Sequence, residues 1–162
     1  MSDLLMSMPL EYEPLRKNRF LLRFPSDLGI QSWWVASASR PTITMNATEI
    51  PFLNTSTWVV GRYVWEQINV TLRDPIGPSA SQAVMEWIRL ASESVTGRQG
   101  YAASYARDMI IEMLDPTGVA VSQWILKNCI PLVGNFGELS YDSDDLATIE
   151  LTIRPQYCIL SF

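Results

Sequence analysis

The sequence has no histidine, the side chain that most often serves as a general base or binds a metal in proteins. This absence excludes Ser-His-Asp and Cys-His catalytic arrangements. Cysteine is scarce as well: Cys129 and Cys158 are the only two, and their spacing is not that of a zinc site. Both lie in apolar, strand-like runs, which favours buried free thiols, with a disulfide as the alternative.

Signatures of other ligands are also missing. The glycine-punctuated segment 95–104 lacks the Gly-Lys-Ser/Thr sequence that cradles a phosphate. Asp142, Asp144 and Asp145 are spaced like part of a calcium-binding loop, but the glycine and glutamate that such a loop needs at later positions are absent. No nucleophile, base and orienting group can be assembled from this sequence. We therefore predict a protein that is not an enzyme and that carries no cofactor or metal.

Charged residues make up only 18% of the chain, against 48% hydrophobic residues. So low a share of charge suggests that partners cover much of the surface. The net charge of −5 argues against a nucleic-acid-binding surface, which is normally basic. Between Asp108 and Glu150 acidic residues are frequent, and Lys127 is the only base. This stretch is either a solvated face or a surface to which a passing polyanion does not stick.

The length of 162 residues fits one domain. Residues 1–15 are predicted to form an N-terminal arm, because Pro9 and Pro14 bar a continuous helix. Residues 16–162 are predicted to form the domain itself. No apolar run approaches the length of a membrane span, so we expect no insertion into a membrane.

The stretch 43–72 is rich in aromatic and β-branched residues, interleaved with polar ones. It predicts a long β-hairpin with a short polar tip at residues 54–57, followed by a third strand at residues 63–72. Long, half-apolar strands recruit other chains. We therefore interpret the hairpin as an element of association.

One helix is predicted at about residues 79–94. Ser79 and Gln82 form a capping box, and an apolar stripe carries Trp87 and Ile88 as anchors to the core. The other segments predict strands, with a turn at residues 115–118 and a bulge or an edge at Pro131. The predicted strands are residues 19–24, 32–39, 107–114, 119–133 and 146–159, with a helix end as the alternative for residues 107–114.

Four segments together resemble the tail tube protein family of contractile-tailed, T4-like bacteriophages. Their order and spacing match that family from about Lys17 to Tyr157. They are Ala-Ser-Ala-Ser-Arg-Pro at residues 36–41; Glu-Ile-Pro-Phe-Leu-Asn at 49–54, leading through Val60-Gly61 into strand 65–72; the helix with Trp87; and Tyr-Ala-Arg-Asp at 105–108, followed by Gly-Glu-Leu-Ser-Tyr-Asp at 137–142 and a last strand ending at Tyr157.

The resemblance implies a mainly β fold with one helix, a β-sandwich or half-barrel with a long extended hairpin. Six copies would form a ring with a continuous β-barrel lumen, and rings would stack into a hollow tube inside the contractile sheath. The tube would house the tape measure protein and conduct DNA into the host without binding it specifically. Further partners would be the sheath, baseplate and tail terminator proteins, in a virion tail assembled in the host cytoplasm.

Two alternatives remain open at this point. One is a related tube, either a baseplate tube initiator or the tube of a contractile injection or type VI secretion system, since fold alone does not choose among them. The other, from a different class, is a small monomeric β-barrel that binds a ligand.

The resemblance also assigns regions. Hairpin 43–62 would mediate the stacking of rings, the strands in residues 107–159 would supply sheet and lumen, and the arm and loop 97–100 would contact neighbours. Asp142, Asp144 and Asp145 would face either the lumen or the outside. The residues predicted for stacking are Ile50, Phe52, Leu53, Asn54, Thr55 and Trp58.

Overall fold

The computed structural model describes residues 8–162. Residues 1–7 of the predicted arm lie outside the described residues, and residues 8–15 are exposed and form neither helix nor strand. None of the described helices has the length and hydropathy needed to cross a membrane.

The described residues form nine β-strands and two α-helices, together with 3-10 turns at Ser26–Leu28 and Ser32–Trp34. The helices are α1 (Ala80–Ala91) and α2 (Ala102–Tyr105). The strands are β1 (Phe20–Arg23), β2 (Val35–Ala38), β3 (Ile43–Phe52), β4 (Thr55–Trp65), β5 (Ile68–Arg73), β6 (Arg107–Leu114), β7 (Ala120–Asn135), β8 (Thr148–Arg154) and β9 (Tyr157–Leu160).

Seven strands form one antiparallel sheet in the order β1-β6-β7-β8-β5-β2, with β9 also paired to β7. The 16-residue β7 belongs to both halves of this sheet. Its first part pairs with β6 and β9, and its second part pairs with β8. The register shifts between Pro131 and Val133, because proline has no N–H to donate to a ladder. The predicted irregularity at Pro131 is therefore confirmed.

The two halves of the sheet enclose one hydrophobic core, which includes Leu22, Met109 and Leu126 from one half. Strands β5 and β8 supply the other half through alternating side chains that are at most 1% exposed: Ile68, Val70, Leu72, Ile149, Leu151 and Ile153. Burial of each such side chain contributes roughly 1.5–3 kcal/mol. The sheet ends at β1 and β2 and does not close on itself. The prediction of a mainly β sandwich or half-barrel is confirmed, but the structure has the short helix α2 in addition to the one helix predicted.

Helix α1 covers one side of this core. It begins after Ser79, whose Oγ accepts a hydrogen bond from the Gln82 N–H at 3.4 Å. Trp87 is buried, and its Nε1–H donates to the Tyr105 carbonyl at 2.7 Å. Ile88 packs against the core from its margin and contacts β7 at Gly134.

Three predicted strands are divided or begin differently in the structure. Residues 63–65 belong to β4 of the hairpin, and the next strand starts only at Ile68, because the chain must leave β3 before it joins the main sheet. The predicted strand 146–159 is divided into β8 and β9 at Pro155, where proline interrupts the ladder. The predicted strand 32–39 opens with a 3-10 turn instead.

The tip of the hairpin is also displaced from its prediction at residues 54–57. Thr55 already pairs with Phe52, so the turn consists of Leu53 and Asn54. Leu53 adopts a left-handed conformation with φ 52°, which a leucine takes only at some cost.

Both cysteines are buried free thiols, as predicted. Burial raises the pKa of the Cys129 thiol to about 12 and the pKa of the Cys158 thiol to about 11. At neutral pH both are therefore protonated and act as small apolar side chains.

Candidate subunit interface

The hairpin β3–β4 stands apart from the main sheet. Within residues 8–162 its two strands pair only with each other, from Ile43 opposite Trp65 to Phe52 opposite Thr55. Thr55 closes the tip by donating its Oγ1–H to the Phe52 carbonyl at 2.9 Å. A two-stranded hairpin alone is at best marginally stable in water. Because each strand is paired on one side only, its outer edge offers unpaired backbone N–H and C=O groups to another chain.

Every residue from 43 to 64 is exposed to solvent. Among the residues predicted for stacking, Phe52 is 71% exposed, Leu53 88% and Trp58 61%. Ile50, Asn54 and Thr55 are exposed as well. The structure thus brings all six predicted residues to the outer half of one unpacked hairpin.

Both faces of the hairpin carry apolar side chains. The register places Met45, Tyr63, Val60 and Trp58 on one face, and Val64, Val59, Ile50 and Phe52 on the other. All of them are exposed. The residues predicted for stacking did not include Met45, Val59, Val60 and Tyr63; the alternation of apolar residues on both strands was the available signal.

A bulge divides the hairpin into an outer and an inner part. The register shifts between Met45 and Ala47, so that Gly61 and Arg62 lie opposite Asn46. A Cβ on Gly61 would come within 3.3 Å of the Asn46 carbonyl oxygen, which favours glycine at this position. Bulges increase the local twist of a strand pair. The outer part is therefore turned relative to the root.

The root of the hairpin is fixed to the body. Trp65 packs edge-to-face on Trp124 of β7 with ring centroids 6.2 Å apart. The Glu66 N–H donates to the Thr42 carbonyl at 2.8 Å, which holds the two chain ends together. The hairpin thus projects from an anchored base.

A groove of about 670 Å³ opens beside this base, and we call it the root groove. Its walls come from β4, α2, β7, β8 and the turn before β9. Arg154 is the only charged residue that lines it, and Arg154 makes no ion pair within residues 8–162. The lining residues are Tyr63, Val64, Trp65, Ala102, Ala103, Tyr105, Ala106, Asn128, Ile130, Arg154, Pro155 and Gln156.

The main sheet has three further unpaired margins. In the part of the chain that the structure describes, strand β1 pairs only with β6, strand β2 only with β5, and strand β9 only with β7. Their outer edges present free N–H and C=O groups. Like the hairpin, they are ready to pair with another chain.

Asp142, Asp144 and Asp145 lie in the irregular segment 136–147 between β7 and β8, and all three are exposed. Asp142 and Asp145 donate their backbone N–H groups to the side chains of Ser140 and Ser143. No group of three potential metal ligands occurs among residues 8–162. The same segment exposes large apolar side chains that the prediction of an acidic turn overlooked, namely Leu139, Tyr141 and Leu146.

Asp108 holds the start of β6 against an irregular point of β7. Its Oδ1 accepts the Asn128 N–H at 3.0 Å, and its Oδ2 lies 3.1 Å from the Lys127 Nζ. The backbone hydrogen bond from Asn128 is the main reason that the pKa of Asp108 lies below its ordinary value, and Lys127 adds to this effect. Asn128 itself has a φ of 52°.

A mainly β body that presents an unpaired hairpin and three open sheet margins has the architecture of an assembly subunit. The sequence makes the class specific, because residues 16–158 match the profile of the T4-like virus tail tube protein gp19. The chain belongs to this family. The family is one of structural tube proteins, which confirms the expectations of a tail tube protein and of a chain that is not an enzyme.

Solved structures share the fold. The anti-feeding prophage cap, described as a tube-terminating cap, is 18% identical with a TM-score of 0.74, and the match covers 99% of each chain. The sheath/tube terminator of the PVC extracellular contractile injection system is 18% identical with a TM-score of 0.73, covering 95% of this chain and 100% of that chain.

A third solved structure, the PVC sheath-tube complex in its extended state, is also 18% identical with a TM-score of 0.73, covering 94% of this chain and 93% of the other. Among curated proteins, no sequence matches this chain.

Proposed function

We propose that this tail tube protein forms hexameric rings that stack into the hollow tube of a contractile tail. The observation that carries the proposal is the hairpin β3–β4. It has ten and eleven residues in its strands, it is exposed on both faces, and it pairs with no other strand of residues 8–162. A monomer gains nothing from such an element, whereas a polymer covers it with another copy.

Two kinds of contact are needed to build a tube. A heterologous contact that closes by rotation makes a ring, and a second contact along the axis extends the ring into a tube. We assign the ring contact to the margins of β1 and β2, which lie at the two ends of the main sheet. We assign the axial contact to the hairpin and to Ile50, Phe52, Leu53, Asn54, Thr55 and Trp58.

The proposed position in the tube of a contractile tail implies further partners. The solved structures with this fold include a sheath-tube complex, a sheath/tube terminator and a baseplate. By analogy, the tube of this protein would lie inside a sheath and end at a baseplate and at a terminator protein. Its lumen would house a tape measure protein and conduct DNA, after assembly in the host cytoplasm.

We further propose that Asp142, Asp144 and Asp145 contribute negative charge to the lumen. Their segment is exposed, and the carboxylates make no ion pair within residues 8–162. A negative wall repels the phosphates of DNA and keeps the polymer from adhering during transit.

The test is to image the purified protein by negative-stain electron microscopy at increasing concentration. We expect hollow tubes from the wild-type chain, and folded subunits that no longer polymerise after deletion of residues 53–57. A stable monomer at high concentration would refute the proposal and favour a monomeric binding module. Abundance in the particle separates a tube subunit, present in many rings, from a tube initiator, present in one.

A further inference from the structure

The hairpin tip lacks a binding site within its own subunit. Phe52 is 71% exposed and Leu53 is 88% exposed, and both project from the end of a strand pair that pairs with no other strand of residues 8–162. An axial contact between rings must cover these two side chains, because large apolar groups at the end of a projecting element favour association. A complementary concave surface is therefore needed on the next copy.

The root groove has the properties of that surface. It is concave, and aromatic and small side chains line it: Tyr63, Trp65, Tyr105 and three alanines at positions 102, 103 and 106. The small alanine side chains leave space between the aromatic side chains, which suits a groove that receives large side chains from outside. Its volume of about 670 Å³ exceeds what a phenylalanine and a leucine side chain occupy together.

Tip and groove lie at opposite ends of the same element. Tyr63 and Trp65 at the root belong to β4, and the eleven residues of β4 span roughly 37 Å when extended. The tip cannot reach the root groove of its own subunit. A second copy displaced along the hairpin by about this length would place its groove at the first copy's tip. Such a head-to-tail contact repeats without limit, as a stack of rings requires.

The charges at the two ends are complementary. Glu49 is the only acidic residue of hairpin 43–65. It lies opposite Trp58, three residues from Phe52 and on the other face of the strand pair, so a groove that encloses the tip meets both side chains. Arg154 is the only charged residue lining the groove. Neither side chain makes an ion pair within residues 8–162. Opposite single charges on two apolar surfaces fix the register in which the surfaces meet.

From these observations we infer that the hairpin tip of one subunit binds in the root groove of a subunit in the next ring, with Phe52 and Leu53 in the groove and Glu49 beside Arg154. This inference rests on the proposed stacking of rings. It adds the receiving surface and the charged pair that orients the contact.

A charge exchange tests the pairing. Glu49→Arg and Arg154→Glu alone should each raise the critical concentration for tube formation about tenfold or more, because a partly buried charge then lacks a partner or faces a like charge. The double variant Glu49→Arg/Arg154→Glu should return it to near the wild-type value. Single variants that polymerise like the wild type, or a double variant no better than the worse single, would overturn the pairing.

A cross-link tests the contact without relying on charge, since the natural thiols are buried. Subunits with Leu53→Cys and subunits with Ala103→Cys should, when mixed and polymerised under an oxidant, form disulfide-linked heterodimers. Circular dichroism of each variant before mixing checks that it is folded. Mixtures held below the critical concentration provide the control and should stay monomeric.

The outcomes separate this inference from the function on which it rests. If wild-type protein forms tubes but the mixed variants polymerise without heterodimers, the groove is not the binding site of the tip. If wild-type protein forms no tubes at all, the proposed stacking itself is wrong.

Discussion

Replacing Gly134 by alanine should destabilise the subunit, because β7 meets helix α1 at this residue. A Cβ on Gly134 would lie 2.7 Å from the Cδ1 atom of Ile88, which is closer than two carbon atoms approach in a packed core. It would lie 3.8 Å from Val84 Cγ1 and from the Phe136 ring, at ordinary contact distance. The collision therefore involves one methyl group, at the end of the Ile88 side chain.

The size of the effect follows from which group can move. Overpacking a core costs roughly 1–3 kcal/mol, and we expect the lower half of this range because Ile88 is only partly buried. Ile88→Val removes the colliding methyl group and alone costs about 0.5–1.5 kcal/mol. The two changes should therefore couple. The double variant Gly134→Ala/Ile88→Val should be about as stable as Ile88→Val alone, within roughly 0.5 kcal/mol.

Urea unfolding followed by tryptophan fluorescence would measure these free energies, in the background of the 53–57 deletion to keep the protein from polymerising. Ile76→Val provides a matched control, since Ile76 is fully exposed and should tolerate the same change without effect. Strictly additive costs for Gly134→Ala and Ile88→Val would show that this contact does not hold α1 to the sheet.

Three further predictions concern ionisable groups. The thiols of Cys129 and Cys158 should resist an aromatic disulfide reagent at pH 8 in the folded protein and react at once in urea, because burial raises the pKa of each; fast reaction in the native state would contradict their placement. The folded-state pKa of Asp108 is depressed, so its contribution to stability is present above the ordinary value of 3.8 and is lost as the pH falls through the folded value. The stability measured by thermal unfolding between pH 2 and 7 should therefore depend less on pH in Asp108→Asn than in the wild type. The difference in the free energy of unfolding should be at most about 1 kcal/mol, because the ion pair is so exposed. An unchanged pH profile would argue against this role. Asp144→Lys with Asp145→Lys should slow genome delivery, and an unaltered ejection rate would place both residues away from the lumen.

Sequence patterns predicted correctly those strands, turns and helix ends that depend only on neighbouring residues. Strand β6 has the predicted limits, and the turn at residues 115–118 follows it. The capping box at Ser79 placed the start of α1 correctly. These features depend on neighbours in sequence, so residue types and their period are sufficient to find them.

The limits of the hairpin depend on which strands pair, and the sequence of a single segment does not show this. From Tyr63 to Leu72 the apolar alternation is interrupted only at Glu66, and the partner of each strand shows that β4 ends at Trp65 and β5 starts at Ile68. The burial of Glu112 also depends on strand pairing, which brings its Oε2 atom to 3.2 Å from an Nη atom of Arg23 in β1. Pairing between distant strands decides both.

The root groove could not be predicted from the sequence at all. Its walls combine residues from β4, α2, β7 and β8, and no single motif along the chain brings these residues together. The arrangement arises because β7 pairs with both halves of the sheet and brings α2 and the end of β8 to the base of the hairpin. A site of this kind becomes visible only in three dimensions.

The shared strand β7 also has a mechanical consequence. Because one continuous backbone runs through both halves of the body, a load applied to either half is passed on by covalent bonds and not by side-chain contacts alone. Shearing the halves apart would require breaking hydrogen-bonded ladders on both sides of β7 together. Subunits built in this way deform little, and a stiff rod made of them can be driven forward at one end without buckling.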